Sequence, residues 1–391
     1  MAYNHTVLGQ LLKSVPRLEF EKLAQAHDGK RRSDALPRWS QFVSLVLGHL
    51  GNRHSLRDIE AALATQQPQH YHLNIGNVSR SALARANEML DPDFYQQLFY
   101  KLYRQCQQSG AVPGKKFRFK GKLFSLDGSL IDLSLKVFPW ADIAPKKAAF
   151  KLHLGLDHDG LMPAFAEVTE GHGAEMDAVD TFTFPPGSVL VFDRGYDRYT
   201  WHKELTDKGL FWVTRSKRTM RYEVIKDFPI KPQTGVISDQ LICLTSAKAI
   251  KAGLSAIRRV EYLDADTDKR YVFITNQMRW SARTVADIYK SRWEVELFFK
   301  WIKQNLKIKS VIGNTINAVA TQIFVALCVY LLMAYLKFVS QSDFGIQSIL
   351  RLLQMNLFLR RPLGQLLHKW KADPPPPKTT LSLRIAKVGQ Q

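Results

Sequence analysis

The chain has 391 residues, more than one hydrophobic core usually supports, so we expect two or three domains. Hydrophobic residues make up 46% of it and charged residues 23%, as in ordinary globular proteins. The 55 Lys and Arg residues outnumber the 35 Asp and Glu residues and give a net charge of +20. Such a charge attracts polyanions, most commonly nucleic acid, although basic ribosomal and membrane-surface proteins share the property.

Cysteine usage and apolar segments argue against other classes. The three cysteines are far apart and form no C-x-x-C pair, which argues against a disulfide framework and a structural zinc site. Residues 1–20 lack the pattern of a signal peptide. The apolar run at 323–338 has 16 residues, fewer than the roughly 20 that span a bilayer. We therefore predict a buried core helix there, no membrane partner and a cytoplasmic protein.

The N-terminal region is predicted to be helical. Apolar spacing indicates helices at 38–50, 55–65 and 79–90, with Ser55 placed to cap the second. Short helices with Arg80 and Arg85 on the last of them resemble a helix-turn-helix DNA-binding arrangement. The alternative is a helical bundle whose arginines are merely solvated. We assign residues 1–112 to a helical DNA-binding region.

Strand patterns dominate after this region. Residues 122–133 are predicted as strand, turn and strand around the Asp127–Gly128 step, and 150–160 as a strand ending in a turn. A buried strand at 189–192 leads into Asp193, followed by a helix at about 198–208 and another strand. This order predicts an α/β fold, a ribonuclease-H-like mixed sheet flanked by helices.

The next segments set the predicted domain limits. Short alternating runs from about 215 to 278 indicate a β-rich insertion within a catalytic domain that spans 113–345. A long apolar helix near 316–339 completes the core of this domain. Residues 346–391 are predicted to be a basic, proline-containing C-terminal tail.

The segment 288–306 is predicted as one helix with an unusual polar stripe. At about 100° per residue, Tyr289, Arg292, Glu296 and Lys303 fall within roughly 60° of one another, beside an apolar stripe that can dock on a sheet. The spacing of Arg292 and Glu296 also permits an ordinary surface salt bridge worth less than about 1 kcal/mol. Taken alone, the helix does not decide between these interpretations.

Two aspartates change the balance. Asp127 and Asp193 each follow an apolar strand and precede a glycine turn, where the backbone leaves a sheet and exposes the side chain. Each alone is more often a turn former. Together with Glu296 they form a plausible three-carboxylate site for two Mg²⁺ ions, the arrangement that phosphodiester hydrolysis or transesterification requires.

These residues also carry a resemblance to a known family. Residues 289–303 contain Tyr, two residues, Arg, three residues, Glu, six residues and Lys. This pattern resembles the YREK signature of DDE transposases of bacterial insertion sequences, in the branch with a β-strand insertion before the glutamate. "LDGS" at 126–129 and "FDRGY" at 192–196 resemble the motifs around the two aspartates of that family. The resemblance spans about residues 120–340.

The resemblance implies roles for these side chains. Three acids would form the catalytic, metal-binding triad: Asp127, Asp193 and Glu296. Three further side chains would contact the phosphates of the transposon end: Tyr289, Arg292 and Lys303. In this branch a tryptophan can stack on a flipped base during hairpin formation. Trp280 is the candidate, and the competing tryptophans are Trp212, Trp293 and Trp301.

The activity implied by the resemblance is cut-and-paste DNA transposition. It would use Mg²⁺, with Mn²⁺ able to substitute, and act on double-stranded transposon ends and target DNA as a homodimer in a synaptic complex, in the cytoplasm at the nucleoid. Two alternatives stay open. One is a related metal-dependent nuclease without strand transfer, and the other is an inactive DNA-binding relative.

Overall fold

A computed structural model of the chain describes residues 5–29, 35–109, 117, 119–133, 142–144, 147–170, 178–254, 256–306, 308 and 312–368. The N-terminal region is helical, with helices at the three predicted segments. Ser55 and Ser79 cap two of them, because each hydroxyl accepts a hydrogen bond from the backbone N–H three residues on. The helices are α1 (Val7–Leu12), α2 (Arg17–Asp28), α3 (Arg38–Leu50), α4 (Leu56–Ala64), α5 (His70–Leu73), α6 (Arg80–Met89) and α7 (Asp93–Gln108).

The first strands form the centre of one mixed sheet. They are β1 (Leu123–Leu133), β2 (Asp142–Ala144), β3 (Lys147–Asp157), β4 (Met162–Glu170), β5 (Val189–Phe192) and, after helix α8 (Tyr199–Asp207), β6 (Phe211–Arg215). Strands β1, β5 and β6 are parallel neighbours, whereas β3 runs antiparallel to β1 and β4 antiparallel to β3. The order β4-β3-β1-β5-β6 is that of a ribonuclease-H-like sheet, which confirms the predicted fold class.

The predicted β-rich insertion extends this same sheet. Its strands are β7 (Tyr222–Asp227), β8 (Val236–Leu244), β9 (Ala256–Asp264) and β10 (Lys269–Thr275), with helix α9 (Ala247–Lys251) between β8 and β9. Strand β10 pairs with β6, and the order continues β9, β8, β7 to the edge. The insertion therefore lies beside the catalytic strands rather than apart from them.

The predicted turn at Asp127–Gly128 is wrong. Strand β1 is continuous, and it pairs with β3 from Phe124 to Leu133. Gly128 instead occupies a crowded strand position, where a Cβ would lie 2.9 Å from Cε of the flexible Lys151 side chain and 3.3 Å from His153 Nδ1. The Asp-Gly sequence is typical of a turn, but here it lies at a crowded position within a strand.

The single helix predicted at 288–306 is also wrong in one respect. The segment forms two helices, α10 (Ala282–Ser291) and α11 (Trp293–Asn305), which meet at Arg292. The N–H of Arg292 bonds to the carbonyl of Tyr289, and the N–H of Val295 bonds to the carbonyl of Arg292. These i→i−3 bonds tighten the backbone at Arg292, the residue at which the two helices meet.

The sheet is covered on both faces. On one face, α10 packs over side chains that include Val189, Val191 and Val213. On the other, Leu190 and Phe192 join a larger core that contains the N-terminal helices and α12 (Ile316–Val339). Helix α12 packs on α3 and α7. Among the described residues, α12 has the length and composition of a membrane span, but 94% of its apolar stretch is buried, so it is the predicted core helix.

Residues beyond 345 fold back on the start of the chain. Helices α13 (Ile346–Asn356) and α14 (Leu363–Leu366) lie within the segment we assigned to the tail. The N–H of Val7 bonds to the carbonyl of Leu359 at 3.0 Å, and that of Leu8 to the carbonyl of Leu357 at 2.9 Å. The proline run and the rest of the predicted tail lie outside the described residues.

Candidate active site

Two of the predicted acids are neighbours at one point of the sheet. In the parallel pairing of β1 and β5, Leu126 lies opposite Phe192, and Asp127 and Asp193 are the next residues. Parallel strands lie about 4.8 Å apart, so the two aspartates start from adjacent backbone positions. Strand β5 ends here, and the Asp193 carboxylate accepts a 2.7 Å hydrogen bond from the N–H of Gly195 in the turn that follows.

Helix α11 brings Glu296 to the same place. It packs on β1 and β3 through a buried side that includes Val295 and Phe299. Arg292, at the junction of α10 and α11, lies between two of the acids. Its Nη1 is 3.4 Å from Asp127 Oδ2, and its Nη2 donates to Glu296 Oε1. The three predicted acids therefore come together from β1, from the end of β5 and from α11.

The electrostatics of Asp127 reflect this crowding. Its pKa is raised to about 6, mainly by burial and also by the charges of Asp193 and Glu296, while Arg292 and the N–H of Gly128 oppose the rise. The Asp127 carboxyl therefore stays protonated up to about pH 6, unless a bound cation displaces the proton. Perturbation of this kind, in a group with like-charged neighbours, is typical of functional sites.

The acids are suited to metal binding, although their ligand atoms are not gathered into a closed cage. Carboxylate oxygens are the hard donors that Mg²⁺ and Mn²⁺ prefer. Among the described residues, one group of three has ligand atoms that all lie within 4.8 Å of one another. It is His27, Asp91 and Asp93, in the N-terminal helical region and not at the sheet. At the triad, Arg292 lies where cations would neutralise Asp127 and Glu296. A metal ion must therefore compete with this guanidinium.

Lys303 lies on one side of the acids. Its Nζ donates 2.7 Å hydrogen bonds to Ser129 Oγ and to the carbonyl of Leu130, which ties α11 to β1. It lines an open cavity of about 380 Å³ together with Asp127, Ser129, Glu296 and Lys300. The cavity opens two of the three acids, Asp127 and Glu296, to solvent.

Tyr289 lies on the other side of Arg292. Its ring is 4.7 Å from that of Phe273, and Arg292 lies 5.8 Å from its centroid. Burial raises the pKa of the phenol, while Arg292 and Arg215 lower it. A neighbouring cavity of about 410 Å³ is lined by Tyr289, Arg292 and Trp293. The four signature side chains thus occupy one continuous stretch of surface.

The tryptophans differ in their surroundings. Trp280 packs against Phe119 and Phe211, with ring centroids 5.2 and 5.9 Å away, and it does not line either cavity beside the triad. Trp212 is fully buried, and Trp301 packs on Tyr330. Trp293 is 58% exposed. Of the four tryptophans, it alone combines exposure with a place beside Tyr289 and Arg292.

The N-terminal arginines precede the sheet in the sequence, and they line neither of the two cavities beside the triad. Arg80 and Arg85 are exposed on α6. Arg80 lines a cavity of about 490 Å³ together with Arg57 and residues 312–314.

A group of cations on the other side of Asp193 was not predicted from the sequence. It includes Arg194, Arg215 and Lys217. The basic run at 215–218, directly after a strand, could have indicated it.

Comparison with known families decides the identity of this site. Residues 120–332 match the family described as "Transposase DDE domain", which covers all three acids. The chain belongs to the DDE transposase family. Residues 3–75 match a domain of unknown function (DUF4372).

Individual relatives of this transposase agree with the family. A Sinorhizobium fredii protein named as a transposase (y4zB) is 31% identical over 256 residues, covering 64% of this chain and 69% of its own. A Geobacillus stearothermophilus protein named as the transposase of insertion sequence element IS5377 is 27% identical over 296 residues, 75% of each chain. The cryo-EM structure of the piggyBac transposase synaptic complex with hairpin DNA is 12% identical, with a TM-score of 0.44, covering 89% of this chain and 77% of that one. At that score the structural likeness adds nothing to the sequence match.

Membership confirms the predicted enzyme class. The protein is a DNA transposase, a DNA-binding enzyme of a family that uses divalent metal ions. Neither alternative, the simple nuclease or the inactive DNA-binding relative, is favoured. The assignment to the YREK branch stays a prediction.

Proposed function

We propose that this transposase cuts its own insertion sequence out of DNA and joins the freed ends to a target, with Asp127, Asp193 and Glu296 holding two Mg²⁺ ions. Mn²⁺ would substitute for Mg²⁺. The observation that carries the proposal is the convergence of three acids from β1, β5 and α11 around Arg292.

Each residue of the site would have a distinct task. When bound, the metal ions would activate the attacking oxygen and stabilise the leaving oxygen of the scissile phosphodiester. Asp127 would bind the metal between its like-charged neighbours, and below about pH 6 the metal would have to displace its proton. Glu296, carried on a helix docked through Val295, would keep its carboxylate fixed relative to β1.

The signature cations would hold the DNA backbone. Once released from the carboxylates, the Arg292 guanidinium would pair with a phosphate beside the scissile bond. Lys303, anchored to β1 at 2.7 Å, would contact a phosphate near Asp127. The Tyr289 hydroxyl would donate a hydrogen bond to a phosphate oxygen or to a deoxyribose oxygen, because the phenol stays protonated at neutral pH.

If a base is flipped at the transposon end, we favour Trp293 over Trp280 as its stacking partner. Trp293 is exposed beside Tyr289, whereas the ring of Trp280 is packed between Phe119 and Phe211. Aromatic stacking on an unpaired base is worth about 1–3 kcal/mol.

The remaining assignments belong to the same proposal. Residues 1–112 would recognise the transposon ends, with Arg80 and Arg85 as exposed candidates for phosphate contacts. Residues 113–345 would carry catalysis, with the insertion at about 215–278. The active form would be a homodimer that holds two ends, and it would work in the cytoplasm at the nucleoid.

Cleavage of a labelled duplex that carries the element's own flanking ends tests the proposal. Wild type should cut at the element boundary with Mg²⁺, whereas Asp193→Asn and Glu296→Gln should not, because an amide is a poor Mg²⁺ ligand. Binding of the same duplex in Ca²⁺ should be largely unchanged in both variants.

Glu294→Gln is the matched control on the same helix, and it should keep wild-type cleavage. Equal activity of Glu296→Gln and wild type would remove Glu296 from the mechanism. Cleavage without joining of the 3′ ends to a target plasmid would leave a nuclease in place of a transposase.

A further inference from the structure

A second charged cavity begins one residue beyond the triad. It has a volume of about 480 Å³ and lies across β6, β10 and β9, next to the turn after Asp193. We call it the basic cavity. Its cationic lining residues are Arg194, Arg215, Lys217, Arg218, Arg259 and Arg270.

The basic cavity holds more positive charge than its carboxylate partners neutralise. Arg259 pairs with Glu261 at 3.0 Å, and Arg270 lies 3.9 Å from the same carboxylate. Lys217 pairs with the buried Asp197 at 3.1 Å. Within the described part of the chain, Arg194, Arg215 and Arg218 have no carboxylate partner.

Two of the cations are nevertheless held in place. Arg259 donates to Ser238 Oγ and Gln240 Oε1 at 2.9 and 3.1 Å, and Arg215 lies 5.0 Å above the ring of Tyr271. Fixed guanidinium groups lose little conformational entropy when an anion binds, and their planar forks match phosphate oxygens. The cavity is therefore organised for a ligand with several negative charges.

Its position indicates which polyanion it binds. Lys303 is bonded to β1, the strand that carries Asp127, whereas the basic cavity spans β6 to β9, beyond Asp193 at the end of β5. From β5 to β9 is three strand steps, or about 14 Å. For a duplex whose axis runs across the β-strands, that distance corresponds to about four phosphates of one DNA strand, at an axial rise of about 3.4 Å each.

From this placement, and resting on the proposed function, we infer that the basic cavity binds the backbone of the DNA strand that leaves the triad past Asp193. Lys303 then binds the DNA backbone on the Asp127 side. The scissile phosphate is held between the two contacts, over the carboxylates. The insertion thus contributes a phosphate-binding surface that continues the catalytic site along the sheet.

The test uses the full-length protein and the double variant Arg194→Ala/Arg218→Ala, since neither side chain has an acidic partner that its loss would strand. Affinity for the end duplex is measured in Ca²⁺ over a range of NaCl concentrations. The slope of log K against log salt should fall by about 0.9 for each duplex phosphate that the variant no longer neutralises, or about 0.7 if the strand is single there. Arg351→Ala, an exposed arginine of α13, should keep the wild-type slope.

Neutral methylphosphonates, placed singly in the duplex, then locate the contact. Wild type should lose affinity at positions on both sides of the cut. The double variant should be insensitive within about four phosphates on one side only, and Lys303→Ala on the other. An unchanged salt slope, or insensitivity on the same side in both variants, would overturn the inference.

Two further outcomes distinguish a failure of the basic cavity from a failure of the proposed function. Wild type that cleaves its ends, beside a double variant with an unchanged slope, would refute the basic cavity alone, whereas wild type that does not cleave would refute the proposed function. Titration with inorganic phosphate should give no binding at low millimolar concentration. Binding of phosphate that the double variant loses, with DNA binding unaffected, would assign the cavity to a small anion and overturn the inference.

Discussion

Arg292 gives the most discriminating prediction, because it competes with the metal for the same carboxylates. At 3.4 Å and an effective dielectric constant of about 20, its gross attraction to Asp127 is about 5 kcal/mol. Desolvation and partial exposure leave a net value nearer about 1.4 kcal/mol, typical of a charged hydrogen bond. Arg292→Gln should therefore bind Mn²⁺ about tenfold more tightly than wild type at pH 8, in the absence of DNA.

The same substitution should make that gain depend on pH. Arg292 lowers the pKa of Asp127, which lies at about 6, so its loss strengthens proton binding there by about the same tenfold factor. The carboxyl is charged above its pKa and protonated below it, and metal must displace the proton. The tenfold gain at pH 8 should then shrink to about twofold at pH 6.

Isothermal titration calorimetry in buffers of different ionisation enthalpy measures both the affinity and the protons released. Arg283→Gln removes a similar charge from α10, where Arg283 pairs with Asp287 at 2.9 Å, and it should match wild type at both pH values. Equal or weaker Mn²⁺ binding by Arg292→Gln at pH 8 would refute the competition between guanidinium and metal. Cleavage by this variant should still fall, since glutamine cannot pair with the phosphate as the guanidinium does.

Three further predictions follow from individual contacts. Lys303→Ala should weaken binding of the end duplex and reduce the slope of log K against log salt by about 0.9, which salt titrations measure. It should also lower the free energy of unfolding in urea melts by about 1–3 kcal/mol, because two hydrogen bonds to β1 are removed. Trp293→Ala should slow hairpin formation on a nicked end by about 5- to 150-fold, the kinetic equivalent of a stacking energy of about 1–3 kcal/mol, while Trp280→Ala should mainly lower the melting temperature; the reverse pattern would restore Trp280 as the stacking residue. Arg258→Met should destabilise the protein by about 3–5 kcal/mol in urea melts, since it strands the buried Asp239 carboxylate, which Arg258 binds with two 2.7 Å hydrogen bonds; a loss below about 1 kcal/mol would show that water reaches Asp239.

Much of the fold could be predicted because its elements are locally encoded. The alternating runs of the insertion, the apolar strand before Asp193 and the cap at Ser55 all lie where the sequence indicates them. The errors arose where tertiary contacts decide. Gly128 looks like a turn residue, yet it pairs with His153 of β3 inside a continuous strand, and that pairing joins residues more than twenty positions apart.

Spacing and strand ends indicated the candidate acids, whose catalytic roles stay predictions, but they did not indicate the contact of Arg292 with Asp127. Spacing alone suggested that Arg292 and Glu296 share a stripe, and the helix junction at Arg292 depends on how α10 and α11 dock on different parts of the sheet. The sequence indicated the basic cavity only through the basic run at 215–218, for a similar reason. Its arginines come from four separate segments between residues 194 and 270, and only the pairing of β6, β10 and β9 brings them together.

The shared core has a consequence for synthesis of the protein. Helices α3 and α7 bury their apolar faces against α12, and α1 is held by backbone bonds to residues 357 and 359. During translation, the first hundred residues therefore cannot bury these faces until α12 has left the ribosome, late in synthesis. We expect prematurely ended chains to expose apolar surface and to aggregate or be degraded, rather than persist as free DNA-binding fragments that would compete with the complete enzyme for its ends.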